Sequence, residues 1–298
     1  MIQMIQLKRR WRSAASTVLL VCLPATTAWA YTLLPLVTEE ARTLPSGTAE
    51  ASLGAAYSND LRFPAFTPPG ALHSQTLVQG PQFGFRIGAG GWAEIQASYE
   101  TIYLDERTIN GQNNRQFGSG DMRMFTKVRL RREGDLWPAL GLRFGTKLPN
   151  AKRAARLGTD DTDFAADALM SKGFGPVSAH VNLGLLLLGN SGSTLGNTFH
   201  AGGQDDLFEY AVALASTPLG ANAAGATTVR ILGELVGQTG SHFANDRSAL
   251  RVGLQLTRGA GTVYIGTSAG LVTASENIGA SAGFVYTFEP QTLLGGAD

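Results

Sequence analysis

The chain has 298 residues, of which 44% are hydrophobic and only 16% charged, with 37 glycines. Nothing after residue 30 approaches the ~20 unbroken apolar residues of a spanning helix, which excludes a helical membrane bundle. A formal net charge of +1 supplies no basic excess to draw the chain to nucleic acid.

The first thirty residues are expected to form a cleaved signal peptide, with residues 31–298 as the mature domain. A basic start, "MIQMIQLKRRWR", precedes an apolar run that ends at the A-x-A site Ala28-Trp29-Ala30. Cleavage takes Lys8, Arg9, Arg10 and Arg12 from the 24 basic residues, leaving 20 against 23 acidic ones. It also removes Cys22, the single cysteine. An exported domain without disulfides must hold its fold through packing or backbone pairing.

Along the mature chain, apolar and polar residues alternate with period two, the strand period. Twelve strands are predicted, over 47–58, 75–87, 92–104, 121–131, 137–148, 163–172, 177–188, 206–215, 226–238, 248–257, 262–272 and 278–288. The first carries Glu50, and the second carries Arg86 and a strained Gly80-Pro81. Proline cannot donate to a ladder, so either pairing begins near Gln82 or a bulge lies there. The third carries Glu94 and Glu100, and is followed by a long polar loop, "DERTINGQNNRQFGSG". In the fourth, Met122, Met124, Val128 and Leu130 share one parity, while Arg123, Lys127, Arg129 and Arg131 share the other, with Asp121 leading in. The fifth sets Arg143 and Lys147 against Leu140, Leu142, Phe144 and Leu148. The later strands place Asp167, His180, Glu209, Arg230, Glu234 and Arg251 on the polar parity.

Most of these strands run to ten residues or more, against ~5–6 for ordinary soluble strands, and a tilted strand needs ~9–11 to cross a bilayer. Tight turns such as "EGD" and "FGP" alternate with long loops, the pattern of a transmembrane antiparallel up-and-down barrel with periplasmic turns. The expected class is therefore an all-β barrel of about 12 strands in the outer membrane of a double-membraned bacterium. Its oily parity would meet outer-membrane lipid, and its charged parity the lumen. Tyr57, Tyr103, Phe208 and Tyr210 fall near the outer rim; Trp92, Trp137 and Phe288 fall near the periplasmic rim.

The pore-lining candidates are thus Arg86, Glu94, Glu100, Arg123, Lys127, Arg129, Arg131, Arg143, Lys147, Asp167, His180, Glu209, Arg230, Glu234 and Arg251. Two readings stand open. The bases crowded on strands four and five, beside acids on three and six, would either set a transverse field that selects permeants or pair across strands and fill the lumen. Nothing in the sequence marks a plug domain.

The final strand, "SAGFVYTF", places Gly283, Tyr286 and Phe288 as in the terminal signal read by the barrel-assembly machinery, although ten residues follow. "PLVTEEARTLPSG", "GSGDMRMFTKVRL", "LRFGTKLP" and "LGTDDTDFAADALMSKGFGP" resemble outer-membrane proteins grouped under the MetA-pathway of phenol degradation. The likeness spans most of residues 34–288, and an acidic pair in that family often sits where this chain has Glu39 and Glu40. The resemblance implies an outer-membrane channel or transporter, and carries over no catalytic residue.

Dedicated chemistry finds little support in the residues. His73, His180, His200 and His242 show no metal spacing, and Asp160, Asp161 and Asp163 lack the twelve-residue pattern of a calcium loop. No glycine motif has the strand-to-helix setting of a dinucleotide site, so no cofactor and no metal are expected. Ser178 and His180 share the inward parity two residues apart, but no third, orienting group is evident. The expected function is passive passage of small solutes through a lumen with a basic arc. The alternatives are a blocked barrel whose long loops bind a ligand or partner, and an outer-membrane lipid hydrolase.

Overall fold

In the computed structural model, residues 32–59, 74–107, 113–151, 157, 161–189, 206–220, 226–240, 246–272 and 275–290 are described. Residues 1–30, expected as a signal peptide, and His73, His200, His242 and Asp160 lie outside them. The strands are β1 (Ala49–Asn59), β2 (Ser74–Ala89), β3 (Ala93–Arg107), β4 (Asn113–Ser119), β5 (Met122–Arg131), β6 (Ala139–Leu148) and β7 (Asp163–Phe174). They continue as β8 (Val177–Leu187), β9 (Asp206–Ser216), β10 (Thr228–Gly240), β11 (Arg247–Arg258), β12 (Gly261–Gly270) and β13 (Ile278–Phe288).

Every strand pairs antiparallel with its neighbours, and β1 pairs with β13, so the sheet closes on itself. Closure is what hydrocarbon demands, because a free edge would leave backbone donors and acceptors without water. β4 and β5 both lie along β3, β4 against Thr101–Arg107 and β5 against Ala93–Ser98. They form one stave, broken where Gly120 donates its N–H to the Glu100 carbonyl at 2.9 Å. The wall is therefore a twelve-strand barrel, as the alternation predicts.

The polar stretch expected as a loop after the third strand departs from prediction. Much of it is a hairpin, with Asp105, Glu106 and Arg107 facing Arg115, Asn114 and Asn113. In-register pairing of charged and amide side chains (Arg115 to Asp105, Asn114 to Glu106) supports this extension beyond the lipid belt. The Gly80-Pro81 strain is resolved as a bulge: the register of β2 skips between Gln79 and Gln82 against β3 while the strand runs on. This is how a closed barrel accommodates a residue that cannot donate.

The oily parity faces outward. Ile231, Leu254 and Ile265 stand side by side across β10, β11 and β12, each about half exposed, as expected of side chains that lipid covers. Tyr57, Val78, Tyr103 and Phe117 make a similar outer row at the loop end of β1 to β4. Trp92 and Trp137 are exposed at the turn end.

Inside the barrel lies a feature that the alternation does not announce. Residues 32–46, ahead of β1, run as a strap along the inner wall, with a turn near its start where the Leu36 N–H bonds the Leu33 carbonyl at 2.9 Å. Leu33 and Leu36 pack on Ala213, Ala215 and Leu232 of β9 and β10, and Ala41 packs on Ala139 and Leu169 of β6 and β7. The strap then turns at Pro45 and Gly47, where the Gly47 N–H bonds the Gly88 carbonyl, and feeds into β1.

Candidate functional site in the lumen

A segment buried without a strand partner must find hydrogen bonds for its own backbone. Inward side chains provide them. Glu234 accepts from the Val37 and Thr38 N–H groups at 3.0 Å each, and from the Thr38 hydroxyl at 2.6 Å. Asn182 brackets Glu39, accepting from its N–H at 2.7 Å and donating to its carbonyl at 3.0 Å. Ser171 accepts from the Ala41 N–H and Glu94 from the Leu44 N–H. The Gln255 amide donates to the carbonyls of Thr32 and Leu34.

Glycines give the strap room. Gly253 and Gly266 are neighbours on β11 and β12, and a Cβ on Gly253 would sit 2.6 Å from Pro35. Gly88 leaves the same kind of space for the Leu44 and Pro45 carbonyls.

The charges converge at the middle of the strap. Glu39 meets Arg86 at 2.5 Å and Lys127 at 3.4 Å, while Glu94 meets Lys127 at 3.2 Å and Arg86 at 3.6 Å. Two bases and two carboxylates thus alternate, each with opposite neighbours, which is what a fully buried ammonium such as Lys127 requires. Burial alone would raise the Glu39 carboxyl, but Arg86, Lys127 and Arg143, with the Arg86 hydrogen bond, hold it down at about 2. Arg143 lies over the Phe125 ring, 3.6 Å from its centroid, and bonds Gln96 at 2.9 Å and Asp167 at 3.0 Å.

Beyond the strap, towards the loop end, the lumen holds a cavity of about 920 Å³. Seven of the fifteen pore-lining candidates border it: Arg86, Glu100, Arg123, Arg143, Asp167, Glu209 and Arg251. Arg123 and Glu100 pair across its wall at 3.0 Å, and Arg251 pairs with Glu234 at 3.5 Å.

The remaining candidates sit elsewhere. Glu94, Lys127, His180, Arg230 and Glu234 lie against or around the strap, Arg230 reaching Glu40 at 3.7 Å. Lys147 is clamped between Asp121 at 3.4 Å and Asp163 at 2.6 Å. Arg129 donates to the Gly91 carbonyl at the β2–β3 turn. Arg131 departs from its predicted face. The β5–β6 register skips between Arg129 and Arg131, so Arg131 stands opposite Leu140 on the outer surface and covers the Trp137 ring at 4.7 Å. A bulge re-aims every side chain beyond it.

The Ser178–His180 pair does form, at 2.9 Å, with Ser171 on the other ring nitrogen at 2.9 Å. A hydrolytic triad would place a carboxylate in that third position. Here the third group is a hydroxyl tied to the strap backbone, and none of the three residues borders the cavity. Among the described residues, no group of three or more histidine, cysteine or acidic side chains is placed to hold a metal ion.

Sequence reasoning missed the strap residues Thr32 to Pro45 as occupants of the lumen. Two signals pointed there: glycines on the inward parity, and bases in excess of acids on the strands now numbered β5 and β6.

No family model matches the chain, and no curated protein matches it. Among solved structures, an outer-membrane channel from Pseudomonas putida F1 is similar, with a TM-score of 0.58 and 12% identity over 83% of this chain and 97% of that one. The translocator domain of the autotransporter NalP from Neisseria meningitidis is also similar, with a TM-score of 0.50 and 11% identity over 82% of this chain and 90% of that one. At these identities the likeness establishes the fold: an outer-membrane-type β-barrel.

Proposed function

We propose that the protein is an outer-membrane channel for passive passage of small polar or anionic solutes, restricted by a strap folded into its own lumen. The observation that carries this reading is the charged cavity of about 920 Å³, enclosed by a closed wall and floored by residues 32–39. A low-dielectric wall focuses the field of fixed charges onto the solute path. The turns would face the periplasm, lipid would cover the apolar belt, and β13 would be the strand read by the assembly machinery.

Planar-bilayer conductance of the mature chain tests the reading. Currents are expected, and Arg123→Glu with Arg143→Glu should shift preference towards cations. Absence of current at every voltage overturns it.

The strap itself favours a second reading, a blocked scaffold whose long loops bind a partner. Deleting residues 190–204 separates the two: a channel keeps its conductance, whereas a loop-based binder loses its partner.

A further inference from the structure

We propose that Arg86, Lys127 and Arg143 form a carboxylate-binding site that the protein fills with its own Glu39. A small organic carboxylate entering the cavity would exchange with that side chain and loosen the strap. The proposal deepens the channel reading and rests on it for the direction of transit.

The charge inventory motivates the exchange. With Glu39 in place, each of these three bases has a carboxylate partner: Arg86 has Glu39 and Glu94, Lys127 has Glu39 and Glu94, and Arg143 has Asp167. Without Glu39, Arg86 loses its two-point partner and Lys127 keeps Glu94 alone, while Glu50 stays opposite Arg86 on β1. An arginine fork is shaped to receive a carboxylate at two points, and Arg86 does so, meeting both Glu39 oxygens through Nη1 and Nη2.

The site is reachable. Glu39, Arg86 and Arg143 all border the cavity, as do Gln96, a further donor to Glu39 at 3.5 Å, and Phe125, an apolar surface for the body of the solute. An incoming carboxylate replaces like with like, so the net electrostatic change is small. The advantage of Glu39 is its tether. Short flexible tethers give effective concentrations in the millimolar range, so free carboxylate should compete from ~1 mM upward, higher because Asn182 holds the Glu39 backbone.

The test reads strap release and current separately. Ala41, on the strap itself, is fully buried against Ala139 and Leu169, so the thiol of Ala41→Cys in the mature chain should react slowly with a maleimide. Acetate and butyrate at ~100 mM should speed this reaction about tenfold over chloride of equal ionic strength, given millimolar competition. Glu39→Gln in the same background should label fast without added solute and no longer respond to carboxylate, while Glu39→Asp restores the response. Equal labelling in acetate, butyrate and chloride, with Glu39→Gln matching the parent, would overturn the proposal.

A second variant guards against a misfolded cysteine mutant. A Cβ at Gly141 would lie 3.4 Å from the Ala41 Cα, so Ala41→Cys with Gly141→Cys should form a disulfide that pins the strap. Carboxylate-stimulated current should vanish in the oxidised form and return on reduction. Current that still responds in the oxidised form also overturns the proposal. If labelling responds to carboxylate and no variant conducts, the binding site stands and the channel reading fails.

Discussion

Glu234 shows how much one inward side chain can carry. It accepts two backbone N–H groups and a hydroxyl from the strap, and it faces Arg251. Glu234→Gln keeps the shape but removes the charge that these donors solvate, a loss of about 1–3 kcal/mol for a buried charged acceptor. The expected outcome is faster tryptic cleavage after Arg42 in folded protein, with the barrel itself intact. Gly253→Val acts from the opposite direction, because its side chain would occupy the place of Pro35. Overpacking typically costs about 1–3 kcal/mol, so the same cleavage should accelerate while Leu254, outward on the next position, stays unperturbed.

At the scale of the element, the strap is a guest on a wall that is closed without it. The strand ladder runs unbroken from β1 through β13 and back to β1, and the strap adds no rung to it. Deleting residues 32–46 should therefore leave a barrel that still folds in detergent, judged by heat-modified gel mobility, but with larger single-channel conductance. Failure of the deletion to fold would mean that inward groups such as Glu234, Asn182 and Gln255 need the strap backbone as their partner. Acid should reproduce part of this effect. The Glu39 carboxyl is lowered from 4.5 to about 2 in the docked state, so its contribution to docking is complete above pH 4.5 and fades as pH falls towards 2. Strap release, read by thiol labelling with an acid-tolerant disulfide reagent, should rise over that window and stay flat between pH 5 and 8.

At the scale of the whole molecule, the two faces obey different solvents. Leu183 lies outward near the middle of β8, and Asn182 beside it lies inward against the strap. Arginine on the lipid face at mid-bilayer costs about 2–4 kcal/mol. Leu183→Arg should lose folding free energy of that size in vesicle titrations, whereas Leu187→Arg near the loop end should lose about 0–1 kcal/mol. Equal losses at both positions would contradict the placement of the belt.

The sequence by itself determined the barrel. Period-two alternation in strands long enough to cross lipid leaves a closed antiparallel sheet as the structure that satisfies every backbone group; proline's missing donor marked Gly80-Pro81 as either the start of pairing or a bulge, and the structure has the bulge. Local chemistry also marked the inward charges on β5 and β6. Only the tertiary structure decided what those charges face. Arg131 left the lumen through a one-residue register skip that no local pattern encodes. Glu39 is 47 positions from Arg86 and 88 from Lys127, and no periodicity links a strap to the strands that receive it. Pairing across such separations is set by where the closed wall places its inner side chains, and that placement exists only after the barrel has formed.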